Sequence, residues 1–216
     1  MIIDLGLIGY TEAYGIQKEL VNKRRRREIG DSLILAEHPP IFTIGRLGSI
    51  ENLIKNNGVT VLRVDRGGDI TFHGPGQLVL YPIVNLKDNA LDLHKYMRLL
   101  ESAAITFLRQ YSVEAKKIEK RTGVWVDGKK IASIGIAASG WVTYHGMSVN
   151  LNVDLEYFSM IYPCGMKDVM ATSLDRVIGR KISIEDAKRA FSVILNNIID
   201  FGEGTNAGVK YESAMA

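Results

Sequence analysis

The sequence predicts one mixed α+β (α/β) domain over residues 1–216, with a mixed, largely antiparallel sheet and flanking helices. Three observations carry this expectation. Short β-branched runs bounded by turn residues recur along the chain. Two long segments place apolar residues at steps of three and four. The second half reads as a meander of hairpins, which argues against a doubly wound parallel sheet. At 216 residues, 46% of them hydrophobic, the chain can bury a core without disulfide or metal staples.

The elements follow in order. Ile2 to Ile8 reads as a first strand. Thr11 to Glu28 reads as a helix with Ala13, Ile16 and Leu20 on one face and Thr11 as its N-cap. Ser32 to Ala36 is a short apolar strand that His38-Pro39-Pro40 breaks and Ile41 to Ile44 resumes. Val59 to Val64 and Leu78 to Val84 read as strands with a glycine-dense loop between them. Leu93, Met97, Leu100, Ala104, Phe107 and Tyr111 mark an amphipathic helix. Gly123 to Val126, Lys130 to Ala137, Trp141 to Tyr144 and Met147 to Val153 form the meander, with Asp127-Gly128 as its first turn. Ser183 opens a last helix, with Ala187, Phe191, Ile194 and Ile198 facing inward and Ser183 and Asp186 as a capping-box variant.

Charge and cysteine content narrow the function. Lys and Arg number 27 against 24 acids, a net charge of +3, which gives no reason to expect nucleic acid as a partner. The one cysteine, Cys164, cannot form an intramolecular disulfide and excludes a multi-cysteine zinc site. No run of about 18 apolar residues and no basic leader is present, so the expectation is a cytoplasmic protein off the membrane. Gly135-Ile136-Ala137-Ala138-Ser139-Gly140 has the glycine spacing of a phosphate loop, but Trp141 and Val142 follow where Lys and Ser or Thr are required. His38, His73, His94 and His145 show no metal-ligand spacing, and no metal is expected. His94, beside the apolar face of a helix, reads as structural. The run Lys23 to Arg27 reads first as a solvated helix end suited to the dipole.

Two segments carry chemistry. Between Arg66 and Gln77 stand four glycines and a proline, far more than a hairpin turn needs, with Arg66, Asp69, Thr71, His73 and Gln77 as polar groups on that frame. Cys164 lies between Pro163 and Gly165, in a turn where a nucleophile can be exposed. A thiol with an ordinary pKa of about 8.5 needs a cation or a base beside it. Strand alternation after Asp127-Gly128 puts Lys130 on the face of Ala132 and Ile134 and turns Lys129 to solvent. A buried lysine is costly unless paired, and either a thiolate or a carboxylate would serve.

The run Arg66 to Gln77 with Tyr81-Pro82 resembles the signature of the lipoyl(octanoyl) transferases. Four more segments resemble that family in the same order: Glu37 to Arg46; Gly123 to Val126 with Lys130 to Ile136; His145 to Asn152; and Pro163-Cys164-Gly165. The resemblance spans most of residues 1–174, and the tail beyond Leu174 carries little signature. It implies the biotin/lipoate protein ligase fold. It implies transfer of an octanoyl (or lipoyl) group from acyl carrier protein to a lysine of lipoyl domains, the first step of endogenous protein lipoylation. The implied acceptors are the lipoyl domains of 2-oxoacid dehydrogenases and the glycine cleavage H protein. The implied route is a thioester on Cys164, with Lys130 as activating partner and His73 as a second candidate for proton transfer. The substrate is carried on the phosphopantetheine of the carrier, and no other cofactor is implied. By the same resemblance the acyl pocket draws on Arg66, Gly67, Gly68, Asp69, Ile70, Thr71, Phe72 and His73, with Ser133, Ile134, Gly135, Gly146, Met147 and Ser148. Phe72 stands where the family often has tyrosine. The basic run Arg24 to Arg27 would then help dock an acidic carrier. Two other readings remain: an ATP-dependent lipoate or biotin ligase, which needs no nucleophilic thiol, and a non-catalytic acyl-binding paralogue.

Overall fold

A computed structural model of the protein describes residues 1–165 and 168–201, with backbone alone at position 164. Its elements are β1 (Ile2–Leu7), α1 (Tyr10–Arg25), β2 (Ser32–Glu37), β3 (Ile41–Ile44), β4 (Thr60–Arg63), β5 (Ile70–His73) and β6 (Gln77–Ile83). There follow α2 (Leu93–Arg109), β7 (Lys116–Ile118), β8 (Arg121–Val126), β9 (Lys129–Ser139), β10 (Val142–Asn150), α3 (Leu174–Ile178) and α4 (Ile184–Asn196). The strands form a seven-stranded sheet in the order β1-β2-β6-β10-β9-β8-β7 and a three-stranded sheet in the order β4-β3-β5. Pairing is parallel for β1 with β2 and for β3 with β4, and antiparallel in the other described ladders. This is the mixed, largely antiparallel sheet that the sequence predicts.

The central strands are apolar on both faces because both faces are covered. Leu33 and Leu35 of β2, with Leu78 and Leu80 of β6, join the core under α2 and α4. The alternate residues Ile34, Ala36, Val79 and Tyr81 join the core under α1. Each buried Leu or Ile contributes about 1.5–3 kcal/mol, so register is fixed by this two-sided alternation. Asp92 caps α2, its Oδ1 accepting from Lys95 N at 2.8 Å, and Ser183 Oγ caps α4 by accepting from Asp186 N at 3.2 Å. Asp127 and Gly128 both have positive φ, 48° and 75°, as a tight hairpin turn requires. No helix of the described residues is long and apolar enough to cross a membrane.

Several expectations are corrected. α1 begins at Tyr10 on Gly9, and Thr11 is exposed, not the cap. Its basic end is not simply solvated: Arg24 is 8% exposed and donates to Asp31 Oδ1 at 2.6 Å and Asp88 Oδ2 at 2.8 Å. Arg24 therefore fastens the helix end to two loops, while Arg25, Arg26 and Arg27 are exposed. β2 and β3 are not one interrupted strand. His38-Pro39-Pro40 is a corner at which the chain leaves the large sheet for the small one. The glycine-dense loop contains a strand, β5, paired to β3. The predicted break after Tyr144 is absent, and β10 pairs with β9 from Val142 to Val149. The phosphate-loop-like glycines lie in β9 and its turn. Ile198 is 44% exposed, and Ile199 takes the inward place. His94 is exposed on α2, so it has no packing role.

Candidate active site

The two sheets meet across an open-sided cleft with a cavity volume of about 50 Å³. One wall is the glycine-rich segment and β5, through Arg66, Gly68, Asp69, Ile70, Thr71 and His73. The other wall is β9 and β10, through Lys130, Ser133, Ile134 and Gly135, and through Gly146, Met147 and Ser148. These residues lie up to 82 positions apart in sequence, from Arg66 to Ser148, and the fold brings them together. Gly67 faces an adjoining groove that shares Gly68, Asp69 and Lys130 with the cleft. Phe72 is the exception. Alternation along β5 turns it away from Thr71 and His73 into the core of the small sheet. There it is fully buried and stacked on Tyr157 at 4.3 Å. A hydroxyl in place of its ring hydrogen would be buried in that apolar core, so phenylalanine suits the position.

Lys130 turns inward and Lys129 outward, as alternation along β9 implies. Lys130 is 5% exposed, and its Nζ lies 5.5 Å from the centroid of the Trp125 ring. Its side chain runs over Gly123, where a β-carbon would overlap Lys130 Cε and where φ is +126°. Only glycine leaves that channel open. The strand is held beside the later chain by Lys130 N donating to Met170 O at 2.8 Å and Thr172 N donating to Lys130 O at 2.9 Å.

The backbone of Cys164 lies in a turn of 3-10 helix, Pro163–Gly165. The turn is seated on the glycine-rich segment. Tyr162 N donates to Asn52 O at 2.8 Å, and Asn52 Nδ2 donates to Asp69 Oδ2 at 2.6 Å. A methyl on Gly165 would stand 2.7 Å from that same Asp69 oxygen. Asp69 and Lys130 line one cleft, so the turn that bears Cys164 sits at its edge. The position of the Cys164 sulfur falls outside the described residues.

Buried histidines set the polarity of the cleft. Gln77 Nε2 donates to Phe72 O and to Asn150 Oδ1, which turns Gln77 Oε1 toward His73 Nδ1 at 2.7 Å. His73 therefore carries its proton on Nδ1 and leaves Nε2 bare beside Thr43 Oγ1 at 3.4 Å. Burial pushes His73 well below the ordinary histidine range, and nearby His38 and Arg66 push the same way. His38 donates from Nδ1 to Ile8 O at 2.7 Å and accepts from Tyr81 OH on Nε2 at 2.6 Å. Burial lowers its pKa also. His145 is 1% exposed, and its Nε2 donates to Asp65 Oδ1 at 2.8 Å. Burial outweighs Asp65 and brings His145 down to about 4, while hydrogen bonds from Tyr144 and His145 hold Asp65 at about 2 against its own desolvation.

Four cleft residues stand outside the assigned set: Tyr10, Val79, Tyr81 and His145. His145 and Tyr81 lie in segments singled out in the sequence, as does His38, the partner of Tyr81, while Asp65, the partner of His145, stands just before Arg66. Asp65 lies 80 residues from His145. The local mark of His145 is its backbone, at φ 55° inside a strand, which sends its N–H to Gln17 Oε1 at 2.8 Å.

These histidines make the fold acid-sensitive. Their folded pKa values lie below the ordinary one, so on acidification the unfolded chain binds protons first. Stability is full above about pH 6.5 and is lost as pH falls toward about 4, at a slope of about 1.4 kcal/mol per pH unit from His145 alone. His38 and His73 add in the same direction. Denaturant midpoints between pH 7.5 and 4.5 measure this, and a flat profile above pH 5 would count against the neutral assignments.

Comparisons with known proteins give the family and the fold. Residues 9–195 match the lipoyl protein ligase A/B catalytic domain family. An octanoyltransferase of Rubrobacter xylanophilus is 47% identical over 192 residues, covering 85% of this chain and 86% of its own. A bi-partite lipoate protein ligase of Thermoplasma acidophilum superposes with a TM-score of 0.68 at 17% identity, covering 94% of this chain and 87% of its own. A biotin protein ligase of Aquifex aeolicus superposes at 0.55 and 16% identity, covering 91% and 69%. The last two show the biotin/lipoate protein ligase fold. The chain belongs to the octanoyltransferase family, acyltransferases that move an octanoyl group in protein lipoylation.

Proposed function

We propose that the octanoyl group passes through Cys164, from the phosphopantetheine thioester of acyl carrier protein to a lysine of a lipoyl domain. Lys130 removes the thiol proton and favours the thiolate by its charge. The sulfur attacks the thioester carbonyl, the octanoyl–Cys164 thioester forms, and the proton passes to the departing phosphopantetheine thiolate. The lysine amine of the acceptor then attacks, the C–N bond forms, the C–S bond breaks, and the amine proton returns to the Cys164 sulfur. The first exchange is close to isoenergetic and the amide is downhill from the thioester, so no nucleotide is consumed. The acceptors are the lipoyl domains of 2-oxoacid dehydrogenases and the glycine cleavage H protein.

The observation that carries this reading is the buried Lys130, which lines a cleft whose rim residue Asp69 seats the turn of Cys164. His73, held neutral with a pKa well below the ordinary range, is a poor proton acceptor, and the proton traffic falls to Lys130. Gly68 and Ser133 keep the cleft wall small, while Gly135 and Gly146 let the Gly67 and Leu80 carbonyls pack close.

Intact mass spectrometry after incubation with octanoyl-acyl carrier protein tests it. One octanoyl adduct is expected on the protein and none on Cys164→Ala. Turnover by reduced protein with no adduct would sink the covalent route.

A further inference from the structure

The cleft holds two phenols whose hydrogen atoms are both committed to histidine nitrogens. Tyr81 OH donates to His38 Nε2 at 2.6 Å, and that nitrogen is bare because Nδ1–H is spent on Ile8 O. Tyr10 OH lies 3.3 Å from His145 Nδ1, bare in turn because Nε2–H is spent on the Asp65 carboxylate. Each tyrosine thus donates its hydrogen bond to a histidine whose tautomer is fixed from the far side. What each hydroxyl offers the cleft is its oxygen lone pairs. The two phenols occupy one corner: the Tyr10 ring lies 5.1 Å from the His38 ring and 5.6 Å from the His73 ring, and the Tyr81 ring lies 5.9 Å from the His38 ring. Tyr10 is 4% exposed and Tyr81 3%, so water competes little for those oxygens.

We propose that Tyr10 and Tyr81 form the amine subsite of the cleft, receiving the two N–H groups of the acceptor lysine on their phenolic oxygens. An acyl chain has no hydrogen to give them, and a thioester carbonyl would meet only repulsion there. A primary amine has two. Arg66 also lines the cleft, and its charge disfavours an ammonium. The subsite therefore holds the amine in its neutral form with its lone pair left for the carbonyl. Both phenols are hard to ionise, Tyr10 and Tyr81 being pushed up by burial, so they hold the amine and take no proton from it. When the C–N bond forms and the C–S bond breaks, the amine proton goes to the leaving sulfur. His38, His145 and Asp65 are positioning residues, acting through the two phenols.

This inference rests on the acyl-enzyme route, and the test separates the two. The enzyme is first acylated with octanoyl-pantetheine, and the acylation rate is read by quenched-flow mass spectrometry. The acyl-enzyme is then mixed with a lipoyl domain, and transfer is read in the same way. In Tyr10→Phe, transfer is expected to slow about tenfold more than acylation, the effect of one lost hydrogen bond. Tyr81→Phe is expected to do the same and serves if Tyr10→Phe folds poorly. Unslowed transfer in both variants, or equal slowing of both halves, overturns the subsite. An adduct on the wild-type protein with unslowed variants removes the subsite alone. No adduct on the wild-type protein removes the acyl-enzyme route and the subsite with it.

Discussion

Lys130→Met lowers the rate of Cys164 acylation by about a thousandfold while the chain stays folded, within the usual range for a lost acid–base group. Methionine keeps an unbranched chain in the channel over Gly123 and against Trp125, so little packing is lost. What disappears is the positive charge and the transferable protons. Without them the thiol reverts toward its ordinary pKa of about 8.5, and only a small fraction is thiolate at neutral pH. The pH dependence carries the signature. The midpoint of the acylation profile is expected to move up toward that ordinary value in the variant, and activity is partly recovered in alkaline buffer. Single-turnover acylation across pH, with a thermal melt as the folding control, measures both. A near-wild-type rate at pH 7 would remove Lys130 from the chemistry.

The inward turn of Lys130 was legible because it depends on local alternation alone. The same is true of α2 and α4, whose apolar faces repeat every three or four residues, and of the Asp127-Gly128 turn. What escaped was decided by distant pairing. β5 is four residues long between glycines, and it is a strand only because β3 lies beside it. β3 reads as a continuation of β2 until the small sheet claims it. Phe72 belongs to a motif dense in site residues, yet β5 pairing sends it to the opposite face from Thr71 and His73. Arg24 looked like one cation in a solvated run, but Asp31 and Asp88 draw it in. The Asp65–His145 pair and the Tyr10 hydroxyl join three separate stretches of chain, and no spacing rule announces them.

Gly146 shows how closely the cleft floor depends on backbone contact. In β10 it sits opposite Gly135 of β9, and on its other side is β6. A β-carbon at Gly146 would overlap the Leu80 carbonyl oxygen and press on the Pro82 ring at 2.9 Å. The first of these is backbone in the centre of the large sheet, so no side-chain rotation relieves the overlap. The strand itself has to move, and the register from Met147 to Asn150 against β6 moves with it. His145, next in the chain, already holds a left-handed backbone and has little freedom to absorb the shift. Gly146→Ala is therefore expected to cost about 3 kcal/mol, the upper range for overpacking, and to lower the melting temperature by about 10 °C. Activity falls as well, because the displaced residues, Met147 and Ser148, line the cleft beside Lys130. Calorimetry with hydrogen exchange at Leu80 and Met147 follows both effects. A variant that melts within two degrees or so of the parent would show that β6 and β10 can separate at little cost.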